Sequence, residues 1–231
     1  MTGDQLARYR KDKKRTQVQV ARALRVSQTY LSLLESGERR LTESLQKKAA
    51  RFFDLPPTEV PTRLTYGEVR PVSDDQLASD LADLGYPGFS HLKKKRSRKR
   101  NPADVLLSAL NAPQREARAV EALPWLLLAF PDVKWNEVTR VAKMNDLQNR
   151  LGFLVNVAGE MAKKMNKSSL ADLLHAREID LERSMLARED TLCNENMTNT
   201  ERRWLATNRP PNARRWNLLA DLSPVDLNHY E

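Results

Sequence analysis

Cysteine is nearly absent. The single Cys193 cannot close an intrachain disulfide and has no second cysteine with which to build a zinc site, so a disulfide scaffold is excluded and a reducing compartment fits. We read it as an inert thiol. Glycine is also scarce, 7 in 231 residues, and runs of alternating β-branched residues are few, which leaves no segment that reads as a strand. The three histidines, His91, His175 and His229, are scattered, and neither an HExxH pattern nor a glycine-rich phosphate loop occurs. Metal, triad and nucleotide chemistry therefore have no visible basis, and neither an enzyme nor a cofactor is expected. The carboxylates Glu178, Asp180 and Glu182 stand among arginines at helical spacing and read as solvated ion pairs. Long apolar runs are missing as well. The longest, Leu123 to Phe130, is interrupted by Pro124 and falls short of the roughly 20 residues that cross a bilayer. Asp4, Arg8, Arg10 and Lys11 occupy the place where a signal peptide would carry its apolar stretch, so a cytoplasmic protein without membrane contact is expected.

What the chain has in abundance is positive charge and helical periodicity. Lys and Arg number 39 against 30 Asp and Glu, a net charge of +9, the electrostatic signature of a polyanion binder. Apolar residues recur at helical spacing through most of the sequence, so the fold class is all-α. A first domain, residues 1–60, closes where Pro56, Pro57 and Pro61 remove amide donors. Residues 61–101 are expected to be a linker with one short helix, opened by Ser73 and Gln76 as a capping box and stopped by the turn Gly85-Tyr-Pro-Gly. Asn101-Pro102 is an N-cap followed by proline at the first helical position, and opens a helical domain over residues 102–191. Its helices are expected at about 102–111, 114–129, 134–164, whole or broken, and 168–190. The last forty residues, rich in Asn and proline, read as an extended tail, 192–231.

The strongest local signal lies between Thr16 and Gly37. Thr16 and Gln19 form a capping box for a short helix with Val20, Ala21 and Leu24 on its apolar face. Ser27 caps a second helix whose Leu31 and Leu34 face the core, leaving Gln28, Thr29 and Ser32 outward. Those side chains suit base reading: Gln pairs with adenine N6 and N7, and Thr or Ser bonds a base edge or touches a thymine methyl. Gly37 ends the helix.

Gln17, Ala21, Val26-Ser27 and Glu35-Ser36-Gly37 together resemble the Xre family of phage-repressor-like regulators over residues 4–56. The resemblance implies a lambda-repressor-like helix-turn-helix domain that binds a double-stranded DNA operator. It makes Gln28, Thr29 and Ser32 the base readers, with Leu33 near the groove, and implies phosphate contacts at Gln17, Arg39 and Arg40. A structural ion pair between Arg10 and Glu35 is implied too. This sequence departs from the family at Arg25, where glycine is usual; a left-handed backbone there would store about 1 to 2 kcal/mol of strain.

One such module covers about half an operator, so a homodimer spanning sites roughly 34 Å apart is expected. Met144, Leu147, Leu151, Leu154, Ala158 and Met161 follow an alternating three- and four-residue spacing. The stripe fits either a dimer seam or packing within the domain. Gly152, Asn156 and Gly159 on an adjacent face would admit another helix closely. Lys93, Lys94, Lys95, Arg96, Arg98, Lys99 and Arg100 place seven positive charges in eight positions, either a clamp on DNA backbone or a solvated linker face.

Beyond residue 84 the segments Leu84-Gly-Tyr-Pro-Gly-Phe, Arg100-Asn-Pro-Ala-Asp-Val-Leu-Leu, Glu121-Ala-Leu-Pro-Trp-Leu-Leu and Asp146-Leu-Gln-Asn-Arg-Leu-Gly-Phe resemble a helical domain found behind Xre modules in bacterial two-gene operons. That resemblance implies an antitoxin and autorepressor with a cognate toxin protein as partner, of the nucleotidyltransferase type. Trp204, Trp216, Arg203, Arg214 and Arg215 have the chemistry of interface anchors in a segment too polar to fold alone, unless both tryptophans dock on the chain's own helices. Two other readings stay open. A ligand-responsive regulator would hold a closed apolar pocket lined by Trp125, Trp135 and Phe153, and a nucleoid or recombination accessory protein would bind DNA with little sequence preference.

Overall fold

Side-chain caps open most helices of the chain. In the computed structural model, which describes residues 1–62, 64, 67, 69–93 and 99–224, Thr2, Thr16 and Thr198 each complete a capping box for α1 (Gly3–Asp12), α2 (Gln17–Leu24) and α12 (Asn199–Asn208). Ser27 and Thr42 cap α3 (Gln28–Glu35) and α4 (Glu43–Phe52) through a hydroxyl oxygen that accepts an otherwise orphaned amide. Ser73 accepts from the Gln76 amide at the start of α5 (Asp74–Leu84), but the Gln76 side chain turns to Asp80 instead of closing a box. The others are α6 (Pro102–Leu110), α7 (Ala117–Glu121), α8 (Leu123–Ala129), α9 (Trp135–Met144), α10 (Gln148–Lys164), α11 (Ser168–Glu182) and α13 (Pro211–Arg215). The molecule is therefore mostly helical. Its one sheet among the described residues is a parallel pair of two-residue strands, β1 (Asp190–Thr191) and β2 (Leu218–Leu219). None of the described helices is long and apolar enough to cross a membrane.

The chain forms two compact units, Met1–Thr62 and Arg63–Glu231. In the first, α1 to α4 enclose Leu6, Val20, Leu24, Leu31, Leu34, Leu45, Ala49 and Phe53. In the second, α10 is the hub. It packs against α8, α9, α11 and α13, and is buried from Gln148 to Val155 without a break, as a helix surrounded on all sides must be.

That burial changes the reading of the apolar stripe. Leu147, Leu151, Leu154, Ala158 and Met161 all lie in the core of their own unit, leaving no surface to offer a second copy, and only Met144 is exposed. Residues 134–164 are broken, Asp146 taking a positive φ of 57° between α9 and α10, and α7 and α8, with Pro124 in the first turn of α8, stand where one helix was expected over 114–129.

The short helix expected within residues 61–101 does not stand apart from the core. An eleven-residue helix is marginal in water by itself, and α5 instead buries Leu77, Leu81, Ala82 and Leu84 in the core shared with α6 to α10. Arg115 secures it, donating to Asp74 at 2.7 Å, to the Val72 carbonyl at 2.6 Å and to the Ser108 carbonyl at 3.1 Å.

Of the expected tail, the stretch from Leu192 to Leu222 is likewise folded back. Trp216 is fully buried, and its ring lies so close over Gly152 that a Cβ placed there would stand 2.2 Å from Cη2. Gly152 thus admits an indole where the sequence suggested another helix. Arg150 ties the same region together with a double hydrogen bond to Asp190, both at 2.8 Å, and a third to the Leu110 carbonyl. Cys193 is sealed beneath, its thiol pushed up to about 11 by burial, which makes it unreactive at neutral pH.

Candidate DNA-binding interface

Helices α2 and α3 are joined by a turn centred on Arg25, at φ 60° and ψ 51°, the left-handed region. The amide of Arg25 donates back to the Arg22 carbonyl and that of Val26 to the Ala21 carbonyl, which closes the end of α2. Lys48 Nζ adds a donor to the Leu24 carbonyl at 3.4 Å. A β-carbon is strained in this conformation, whereas the surrounding turn imposes it. Arg25→Gly is therefore expected to stabilise the first unit by about 1 kcal/mol, net of glycine's larger unfolded-state entropy. Urea denaturation of the full chain followed at α2 and α3 by hydrogen exchange measures this, and equal stability would mean the strain is relieved elsewhere.

The two helices set the outward face of α3. Leu31 and Leu34 are wholly buried, while Gln28, Thr29 and Ser32, at i, i+1 and i+4, are exposed, with Leu33 half-buried beside them. Among the described residues these three polar side chains have no intramolecular partner. The helix ends at Glu35, and the chain leaves through Gly37 at φ 81° into exposed Arg39 and Arg40, neither of which is paired among the described residues.

Behind α3 sits a small polar lock. Arg10 donates to Glu35 through Nε at 2.6 Å and Nη2 at 2.9 Å, and Gln17 Nε2 donates to the same carboxylate at 3.0 Å. Burial pushes the Glu35 carboxyl up, but the hydrogen bonds from Arg10 and Gln17 and the Arg10 charge outweigh it and hold the group below the usual carboxylate range. The lock joins α1, α2 and the C-terminal end of α3 through one charged group. Gln17 is thus half-buried and committed inward by its amide. Its backbone N–H, at the first position of α2, remains an orphan donor that faces no helical carbonyl. A phosphate contact at Gln17 would run through that backbone group.

A second tie escaped the sequence reading. Tyr9 donates to Glu59 at 3.0 Å, and its hydroxyl is pushed up to about 12 by burial first and the Glu59 hydrogen bond next. Fifty residues separate the pair, so no local pattern signals it.

Residues 3–62 match the family model of a helix-turn-helix domain. The match ends where the first compact unit ends, so the chain carries a helix-turn-helix DNA-binding domain in that unit. No curated protein and no solved structure matches the chain. Within the helix-turn-helix unit, thirteen Lys and Arg stand against seven Asp and Glu, a balance suited to the phosphate backbone.

Of the other residues singled out from sequence, the basic run divides. Arg100 is taken up by the fold, donating to Asp80 at 2.6 Å and to Ser108 at 3.1 Å, so it is a structural cation and not part of a free clamp. Lys93 and Lys99 are exposed, and Lys94, Lys95, Arg96 and Arg98 lie outside the described residues. Trp216 is core, as described above, and Arg215 is drawn into ion pairs with Glu178 and Glu182. Trp204 differs. It is 58% exposed on α12, at the edge of a cleft of about 850 Å³ that Leu192, Met197, Leu205, Leu219 and Leu222 also line. Trp125, Trp135 and Phe153 do not share one pocket: Phe153 is buried in the core, Trp125 packs on Tyr86 and Phe130, and Trp135 borders a separate polar cleft.

Proposed function

We propose that the chain is a sequence-specific transcriptional repressor of the Xre type. In this reading Gln28, Thr29 and Ser32 read bases in the major groove, Leu33 lies beside them, and the Gln17 backbone amide, Arg39 and Arg40 hold phosphates. The observation that carries it is the unpartnered polar face of α3, backed by the Arg10, Glu35 and Gln17 lock. A reader of this size covers half a site, so binding as a homodimer belongs to the proposal, through a surface other than the buried stripe of α10. Selection from a random duplex pool tests it. A recovered two-fold motif bound by two copies supports the reading, and recovery without sequence preference overturns it in favour of an accessory DNA-packaging role.

Two substitutions sharpen the assignment. On the selected operator Gln28→Ala is expected to cost about 1 to 3 kcal/mol, and much less on random duplex. Equal losses on both would remove Gln28 as a base reader. Arg40→Ala is expected to weaken both duplexes alike and to lower the salt slope of log K by about one unit. Titrations at several salt concentrations read this directly, and an unchanged slope takes Arg40 out of the interface.

The second unit, in the same proposal, holds a partner protein, which makes the chain the antitoxin and autoregulator of a toxin–antitoxin operon. Support comes from Trp204, an aromatic left exposed on α12 at a cleft of mixed apolar and polar lining. Affinity capture from native cells with the intact chain and with Trp204→Asp tests it: a neighbouring-gene product held by the first and lost by the second is the expected result. The cleft volume also falls in the range of small-molecule sites. If no protein is captured while DNA affinity responds to a metabolite pool, the chain is a ligand-responsive regulator.

A further inference from the structure

A second cleft, about 460 Å³, opens between α9 and the end of α11. Its charged lining is one-sided: Arg140 and Lys143 from α9, Arg177 and Arg183 from α11 and its C-cap, against the single carboxylate of Asp180. Asp180 lies 3.6 Å from Arg177 and 3.7 Å from Arg183. Such distances are long for charge-assisted hydrogen bonds, so one acid is shared loosely by two guanidinium groups. Arg140 is aimed by the Leu64 carbonyl at 3.0 Å and by Met144 Sδ, neither of which neutralises it. Lys143 has no partner among the described residues, and Arg177 Nε is buried without a hydrogen bond. A buried guanidinium donor left unsatisfied costs free energy that an incoming acceptor would recover. Asn136 and Thr139 add neutral polar groups on the α9 wall.

We propose that this cleft is an anion site for phosphate groups. Guanidinium forks suit phosphate oxygens, and four cations with one weakly held carboxylate suit more than one negative charge. The site lies in the second unit and is a function of its own beside the reader in α3. The phosphates come either from a small phosphorylated ligand or from a nucleic-acid backbone, and the two sources differ in a measurement.

The experiment uses the full chain and two probes: pyrophosphate by calorimetry at low salt, and a random-sequence duplex by anisotropy over a salt series. Arg177→Gln with Arg183→Gln is the test variant, Asp180→Asn the opposite one, and Lys164→Gln with Lys167→Gln an equal-charge control on exposed positions away from the cleft. The test variant is expected to lose about tenfold or more in pyrophosphate affinity, as for a lost charge-assisted hydrogen bond, or about two units of the duplex salt slope. Asp180→Asn is expected to tighten the same probe, an effect that damage to the fold cannot imitate. Loss with pyrophosphate alone assigns a small ligand, and loss with duplex assigns the backbone. Wild-type behaviour of the test variant with both probes, or equal losses in the control, overturns the proposal.

Discussion

Trp216→Ala is expected to cost the second unit about 3 to 5 kcal/mol, the range for truncating a fully buried large aromatic. The indole is wholly enclosed, and the gap it fills was created by the absence of a side chain at Gly152. Alanine would leave a void against the N-terminal part of α10, where Gly152 offers no side chain to fill it. The reverse substitution, Gly152→Ala, places a methyl where the ring now lies and is expected to cost about 1 to 3 kcal/mol by overpacking. The indole Nε1 has no hydrogen-bond partner, so Trp216→Phe should be far milder: it loses volume but also removes a buried unsatisfied donor. Hydrogen exchange of the α10 amides reads all three variants. If Trp216→Ala left those amides protected as in the wild type, Trp216 would not be part of the core.

Removing Arg10 from the lock under α3 is the second large effect. Arg10→Ala strands the Glu35 carboxylate, 8% exposed, with Gln17 as its one remaining partner in the lock. Losing one member of such a pair costs up to about 3 to 5 kcal/mol when fully buried, and the Arg10 side chain's partial exposure puts the expectation near the lower end, about 3 kcal/mol. The pH dependence follows from the sign of the shift. Glu35 is depressed in the folded chain, so its contribution is fully present above the unfolded carboxylate value of about 4.3 and is lost as pH falls through the lower folded value. In Arg10→Ala that depression is largely gone. The difference in stability between wild type and variant should therefore be largest near neutral pH and shrink below about pH 4. Denaturant titrations at pH 7 and pH 3.5 check it; a constant difference would mean that Arg10 acts by packing and not by charge. Because the lock holds the end of α3, DNA affinity should fall along with stability.

The first unit was legible because its instructions are local. Capping residues and apolar spacing within eight or so positions defined α2 and α3, and the strain expected at Arg25 is realised as a left-handed turn because the two helices leave no other path. Exposure of Gln28, Thr29 and Ser32 follows from the same periodicity. Along the second unit, local polarity misled. The average polarity of residues 192–231 hid a few apolar anchors, Trp216, Leu218 and Leu222, each placed in a core built mostly from residues far away in sequence. A three- and four-residue stripe on α10 looks the same whether a second chain or the chain's own helices cover it.

Sequence by itself settled the mostly helical class and the polar outer face of α3, since each depends on neighbours within one or two helical turns. Only the tertiary structure decided that α10 is buried on every side from Gln148 to Val155, that Arg100, Arg115 and Arg150 serve the fold, that Gly152 makes room for Trp216, and that the cations of α9 and α11 meet in one cleft. Those outcomes depend on side chains brought together from distant positions, and no spacing along the chain encodes which cation will find a carboxylate and which will be left without one.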